Sequence, residues 1–299
     1  MKVFVFGVDG LEAKLVERWE LKDFMQKYWG IHDVLTVLGK EEKLYTPIIW
    51  GAFLLGKPPS LYGFNFSNIR EQRLKIAYGS LYPLYCFKRR LFPGKSFGLR
   101  KIMQKIGLFS TERLKVGMPK VEHLPEEAIS DTIIGKVKQL GYRVWVKEFP
   151  AYNDEKIAKF RVYMRQYFDA DLKLRLKYLN EIYEIAYDIY EEALSKADEY
   201  DLILYYNPVI DYANHMLFRP RNYKLMVHLA SYYRKVGKMV KNVREELKNT
   251  AILVVSDHGY DPKIHDHSNY GFWSSNVQLP EKPLTILHFH RIILHLLDS

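Results

Sequence analysis

Along the chain, short unbroken apolar runs alternate with longer stretches in which apolar and charged residues mix at helical spacing. Val3 to Val8 (VFVFGV), Leu202 to Tyr206 (LILYY) and Ala251 to Val255 (AILVV) are the clearest runs, each ended by polar residues. Runs this short and continuous fit strands covered on both faces. Val34 to Leu38 and Arg143 to Val146 are further strand candidates. Between them, Pro125 to Gln139 with Gly141 behind it, Asp169 to Ala197, and Tyr223 to Lys248 read as helices. Strands alternating with helices predict an α/β fold, a mainly parallel sheet flanked by helices. No internal repeat or low-complexity linker divides the chain, so a single domain spanning residues 1–299 is expected. Regular patterning fades only across residues 66–120, which marks an inserted cap.

Charge sharpens that boundary. The chain carries 45 Lys and Arg against 35 Asp and Glu, a formal net charge of +10. Between Ile69 and Lys120, thirteen Lys and Arg face only Glu71 and Glu112, so this segment alone holds +11. Aromatic residues such as Tyr82, Tyr85, Phe87 and Phe92 are interleaved through it. Such a segment is either a solvated face or an electrostatic funnel for a phosphorylated metabolite, nucleic acid or anionic lipid. The stretch KRRLFPGKSFGLRKIMQKIGLF is basic and loosely amphipathic, which keeps membrane-surface contact open. The single cysteine, Cys86, excludes an internal disulfide and an all-cysteine zinc site. No apolar run reaches membrane-spanning length. Asp9 and Glu12 interrupt the apolar N-terminus before signal-peptide length, so a cytoplasmic protein is expected.

Candidate chemistry gathers where the strands end. Asp9, Asp211, Asp257 and His258 all fall just beyond the carboxyl ends of apolar runs, the edge at which open α/β sheets bind ligands. His215 follows Asp211 by four residues, which puts both on one face if a helix starts there. His265 and His267 follow in KIHDHSNYG. Oxygen and nitrogen donors of this mix suit zinc or a similar divalent metal, and there are too many for one ion. Two ions would clamp a phosphoryl group undergoing displacement. Taken singly, an Asp after a strand is a turn former or a helix cap. Agreement among three separate strands is what carries the reading. Thr46 before Pro47 has the form of an N-cap followed by proline at the first helical position. The same place, at a helix N-terminus that favours anions, suits a nucleophilic hydroxyl.

Five motifs, in order, resemble one known family: GVDG at 7–10, TPIIWGAFLLGKPPSLYGF at 46–64, DYANH at 211–215, SDHG at 256–259 and HSNYGFWSSN at 267–276. The sequence resembles the alkaline phosphatase superfamily and, within it, the type I phosphodiesterase/nucleotide pyrophosphatase branch. The resemblance implies an alkaline-phosphatase-like core and metal-dependent hydrolysis of phosphodiester or pyrophosphate bonds in a small, nucleotide-type substrate. It implies two divalent ions, zinc or alternatively manganese. One would be held by Asp211, His215 and His267, the other by Asp9, Thr46, Asp257 and His258. Thr46 would attack phosphorus and form a phosphothreonine intermediate. His267 is preferred to His265 because it stands in the H-x-x-Y-G context of the family.

The sequence also departs from the family. Tyr62 stands where members often carry His, and Ala52 where a small hydroxyl residue is usual. No clear match exists for the asparagine that hydrogen-bonds a phosphoryl oxygen, leaving Asn65, Asn68 and Asn207 as substrate-binding candidates. Two other functions use the same residues: a phosphotransferase, or a basic nucleic-acid or anionic-membrane binding protein that keeps the fold without turnover.

Overall fold

The computed structural model describes residues 1–37, 43–92, 120–168 and 170–299. In chain order the strands are β1 (Lys2–Val8), β2 (Tyr28–Asp33), β3 (Val144–Val146), β4 (Leu202–Asn207), β5 (Thr250–Val255), β6 (Tyr260–Asp261), β7 (Asp266–His267) and β8 (Tyr270–Ser275). The main sheet has the order β2-β8-β5-β1-β4-β3, and β6 and β7 pair separately. Strands β5, β1, β4 and β3 are parallel, and β8 runs antiparallel to both β5 and β2. The helices are α1 (Ala13–Arg18), α2 (Thr46–Leu55), α3 (Phe66–Tyr78), α4 (Tyr82–Leu91), α5 (Glu126–Ile129), α6 (Ile133–Gln139), α7 (Lys156–Tyr163), α8 (Leu172–Ser195), α9 (Val209–Leu217), α10 (Tyr223–Glu246) and α11 (His288–Asp298).

The three apolar runs become β1, β4 and β5, the centre of the sheet, and β4 is buried along its whole length. Its adjacent tyrosines show the layering, because successive side chains leave opposite faces of a strand. The Tyr205 hydroxyl donates to the Ala186 carbonyl of α8, whereas the Tyr206 ring packs edge-on against Trp50 of α2. Helices therefore cover both faces, as continuous apolar strands require. Trp50 also fixes α2 over β1, since a Cβ at Gly7 would stand 2.9 Å from its ring.

Three elements differ from the sequence expectation. The strand expected at Val34 to Leu38 lies one segment earlier, as β2, with a single 3-10 turn at Leu35–Val37. Leu38 falls outside the described residues. The expected helix from Pro125 to Gln139 is two helices. Thr132 breaks it by capping α6, its hydroxyl accepting from Gly135 N–H at 3.1 Å. The helix expected from Asp169 begins at Leu172, where the Asp171 carboxylate caps it; Asp169 lies outside the described residues. Of the basic segment, residues 93–119 lie outside the described residues, and the described part forms α3 and α4, of which α4 buries no residue. Among the described residues no helix is long and apolar enough to cross a membrane.

Candidate metal centre and nucleophile helix

Each candidate ligand reaches the carboxyl edge of the sheet for a local reason. Asp9 ends β1 and is followed by Gly10 at φ +68°, the left-handed region where a side chain is strained. A Cβ on Gly10 would stand 2.8 Å from Asp211 Cα, so only glycine lets Asp9 and Asp211 approach. The Gly10 N–H donates to Asp257 Oδ1 at 3.3 Å, and its carbonyl accepts from Asn214 at 2.7 Å. Asp211 and His215 share one face of α9, with His215 Nε2 3.4 Å from Asp211 Oδ1. His267, on β7, places Nε2 3.2 Å from His215 Nε2 and 3.7 Å from Asp211 Oδ1. His258 Nε2 lies 3.2 Å from Asp9 Oδ1 and 3.3 Å from Asp257 Oδ2. The His258 and His267 rings stack at 3.6 Å. His265 is exposed in the turn between β6 and β7, and the cluster is built from His267 instead.

This cluster is buried and unfinished. Asp9 Oδ1, Asp211 Oδ1, Asp257 Oδ2 and His258 Nε2 are buried atoms without a hydrogen-bond partner among the described residues. A buried carboxylate oxygen with no partner is costly, and a cation is what such oxygens lack. Two groups of donor atoms lie within 4.8 Å of one another: Asp211, His215 and His267, and Asp9, Asp211 and His258. The first coincides with one expected ligand set, and the second shares Asp9 and His258 with the other. The residues present thus fit divalent cations.

The field inside the cluster agrees. Burial alone would lower the His258 imidazole, but Asp257 and Asp9 outweigh it and raise it to about 10. Its Nδ1 is turned to the Gly259 carbonyl at 2.9 Å, which directs Nε2 at the carboxylates. Burial and the charge of Asp9 push the Asp257 carboxyl well above its ordinary value. Burial also acts upward on Asp211, yet His215, His267 and His258 hold its carboxyl below the usual range. Burial and the neighbouring His258 lower His267.

Around these residues stands a layer the sequence reading missed. The Tyr206 hydroxyl donates to Asp9 Oδ2. Glu12, buried, accepts from Tyr260 N–H at 2.8 Å and from the Tyr270 hydroxyl at 2.6 Å, tying α1 to the loop after His258 and to β8. An acidic residue inside an otherwise apolar stretch was the one sequence signal for it.

Thr46 is the first residue of α2 and is buried. The cap position belongs to Tyr45, in extended conformation and without a side-chain cap bond, so Thr46 is not the N-cap that the spacing suggested. Further along α2, Trp50 packs edge-on against Tyr206, whose hydroxyl donates to Asp9, which sets this helix beside the cluster. The expected run of free amides at its start is short. Pro47 has none, and the Ile48 and Ile49 N–H groups both donate to the Tyr45 carbonyl, at 2.8 and 3.2 Å.

The three candidate asparagines are engaged locally. Asn65 caps α3 by accepting from Asn68 N–H at 2.9 Å, and the Asn68 amide donates to the Gly63 carbonyl at 2.8 Å. Asn207 is buried, donating to the Tyr205 hydroxyl at 2.9 Å and accepting from Val209 N–H at 3.1 Å. Tyr62, at the position where the family often has His, donates its hydroxyl to Asp131.

A mainly parallel α/β sheet that gathers carboxylates and imidazoles at its carboxyl edge is the architecture of the alkaline phosphatase superfamily. Within it, the family model of type I phosphodiesterase / nucleotide pyrophosphatase matches residues 126–277, and the chain belongs to that family. The matched span holds Asp211, His215, Asp257, His258 and His267, while Asp9 and Thr46 precede it. No curated protein matches the chain. The family makes the protein a hydrolase of the phosphodiesterase and pyrophosphatase kind.

Proposed function

We propose that the protein hydrolyses phosphodiester or pyrophosphate bonds of a small nucleotide-type substrate, with Thr46 as nucleophile and two divalent ions, zinc by preference, at the carboxylate and imidazole cluster. The observation that carries this is the convergence of the unpartnered buried atoms of Asp9, Asp211, Asp257 and His258 at the end of the sheet. Asp211, His215 and His267 would hold one ion, and Asp9, Asp257, His258 and the Thr46 hydroxyl the other. Bound cations would supply Lewis acidity, offsetting phosphate charge and easing loss of the hydroxyl proton.

The chain's own residues do the rest. Thr46 presents Oγ1 from the first position of α2, where the helix dipole favours the negative charge that grows as the proton leaves. Oγ1 forms a bond to phosphorus as its proton passes to solvent, the bond from phosphorus to the leaving oxygen breaks, and that oxygen departs as phosphate or, taking a proton from solvent, as an alcohol. Water then cleaves the phosphothreonine and returns the hydroxyl. Tyr206 and Glu12 keep Asp9 and the His258 loop in place throughout.

The test is hydrolysis of bis(p-nitrophenyl) phosphate against p-nitrophenyl phosphate after reconstitution with zinc or manganese, with Thr46→Ala alongside. Diesterase activity that the substitution abolishes is the expected result. Full activity in Thr46→Ala would remove the nucleophile assignment. Absence of both turnover and bound metal in the wild-type protein would overturn the whole reading.

A further inference from the structure

If phosphoryl transfer takes place at this edge, the oxygens of the phosphoryl group need donors, and the obvious ones are spent. The start of α2 keeps the Thr46 N–H, since Pro47 has none and the next two amides serve Tyr45. Asn68 and Asn207 already give their amide N–H groups to Gly63 and Tyr205, and Asn65 is held through its oxygen as the cap of α3.

Beside the cluster, on the α2 side of the sheet, a second buried polar group is incomplete. Arg161 of α7 is 10% exposed and lies between two fully buried carboxylates. Its Nε donates to Glu122 Oε2 at 3.1 Å and its Nη2 to Asp154, while Nη1 is buried with no partner among the described residues. The Tyr212 hydroxyl, one residue after Asp211, is likewise buried without a partner. The two groups are joined through Tyr178, whose hydroxyl donates to the Phe160 carbonyl, one residue before Arg161, at 2.7 Å and whose ring packs edge-on against Tyr212 at 6.3 Å. The other end of the arrangement touches the nucleophile helix, because the Tyr45 hydroxyl donates to the same Glu122. Arg161 is thus set between the residue before Thr46 and the residue after Asp211.

We propose that Arg161 Nη1 and the Tyr212 hydroxyl are the donor pair for the nonbridging oxygens of the substrate's phosphoryl group. The assignment rests on the hydrolase reading of the same site. A guanidinium presents its donors in a rigid planar fork. Glu122 and Asp154 fix two sides of that fork and leave Nη1 as the free side. Those carboxylates also offset the positive charge, so Arg161 contributes a directed donor more than net charge. A singly charged phosphodiester matches that better than a doubly charged monoester.

Tyr212→Phe is the clean test, because the hydroxyl has no partner to lose in the free protein. With zinc-reconstituted protein, kcat/KM for bis(p-nitrophenyl) phosphate and calorimetric binding of inorganic phosphate are measured together with zinc content and the thermal midpoint. The expected result is a loss in kcat/KM on the order of 10²-fold, the scale of one transition-state donor, with weakened phosphate binding and unchanged zinc content and midpoint. Arg161→Lys keeps the charge between Glu122 and Asp154 but removes the fork, and is expected to lose at least as much kcat/KM while remaining folded. A wild-type protein that turns over and binds phosphate, alongside a Tyr212→Phe variant indistinguishable from it, overturns the assignment alone. A wild-type protein that does neither overturns the hydrolase reading and this assignment with it.

Discussion

Asp257 and Asp211 face the same cluster but sit in opposite fields, so neutralising each should move the stability of the metal-free protein in opposite directions. Asp257 Oδ2 and Asp9 Oδ1 lie 3.3 and 3.2 Å from the same His258 nitrogen. They are therefore no more than about 6.5 Å apart, where like charges repel by about 2.6 kcal/mol at an effective dielectric near 20. This repulsion, added to the cost of burying the charge, outweighs the pull of His258, which Asp257 shares with Asp9. Asp257→Asn should then stabilise the metal-free fold by roughly 1–2 kcal/mol, and its amide oxygen can still accept from Gly10 N–H. Asp211 instead faces His215 at 3.4 Å and His267 at 3.7 Å. Asp211→Asn should cost about 1.5–3 kcal/mol, since it removes the charge that attracts both imidazoles, each attraction being on the order of 4 kcal/mol at this distance before desolvation is counted.

Zinc reverses the first sign. If each carboxylate is a ligand, a hundredfold loss of affinity removes about 2.7 kcal/mol of zinc-induced stabilisation from either variant. The assay is urea unfolding of wild type, Asp257→Asn and Asp211→Asn, each with a chelator and with zinc. The reasoning fails if both variants lose the same stability in chelator. It also fails if Asp257→Asn keeps the full gain on adding zinc.

Gly10→Ala forces a side chain into the left-handed region at φ +68° and against the Asp211 backbone. The backbone strain alone should cost about 1–2 kcal/mol by urea unfolding, and displacement of Asp211 should weaken zinc binding by roughly 10- to 100-fold in a chelator-competition titration. Tyr206→Phe removes the hydroxyl from Asp9 and should weaken zinc binding by roughly tenfold in the same titration. His32, buried with Nε2 2.8 Å from the Ser256 carbonyl, is held by burial at about 4, whereas an unfolded histidine titrates near 6.5. The unfolded chain takes up that proton first, so the contribution is full above about pH 6.5 and is lost as pH falls through 4, by about 3 kcal/mol in all. Urea midpoints across this window should show a slope in wild type that His32→Gln flattens, and an equal slope would refute it.

What the sequence revealed follows from burial. β1, β4 and β5 are covered on both faces, so their residues are apolar without interruption and their ends are sharp. Asp9, Asp257 and His258 were legible for the same reason, since they follow such an end within three residues, and Asp211 lies one helical turn beyond another, with His215 a turn further on. β2 was misplaced because its pattern is inverted: Trp29 and Ile31 are exposed while His32 is buried. Reading apolar residues as inward therefore shifts the strand to Val34. β8 was seen as a motif and not as a strand, its residues being small and polar at the end where they pair with β2 and β5. Arg161, Tyr206 and Tyr212 carry no local signal. What distinguishes Arg161 and Tyr206 is contact with Asp9, Glu122 and Asp154, residues brought close by the fold and not by spacing in the chain, and what distinguishes Tyr212 is a buried hydroxyl without a partner among the described residues.

The basic segment gains a structural meaning through one of its members. Arg73 of α3 donates to the Tyr45 hydroxyl at 3.4 Å, Tyr45 donates to Glu122, and Glu122 holds Arg161. A chain of alternating charge and hydroxyl thus runs from α3, past the residue before Thr46, to the proposed phosphoryl donor. The edge of the sheet has two halves of opposite character. Asp9, Asp211 and Asp257 form a buried acidic half that calls for cations, and on the other side Arg161, its charge offset by Glu122 and Asp154, leaves Nη1 as a free donor. The first turn of α2 stands between them, and a phosphoryl group with cations on one side and guanidinium donors on the other would meet Thr46 there. The positive charge of Arg73 then does more than raise the net charge of the protein: through Tyr45 it is coupled to the side chains that would orient the substrate.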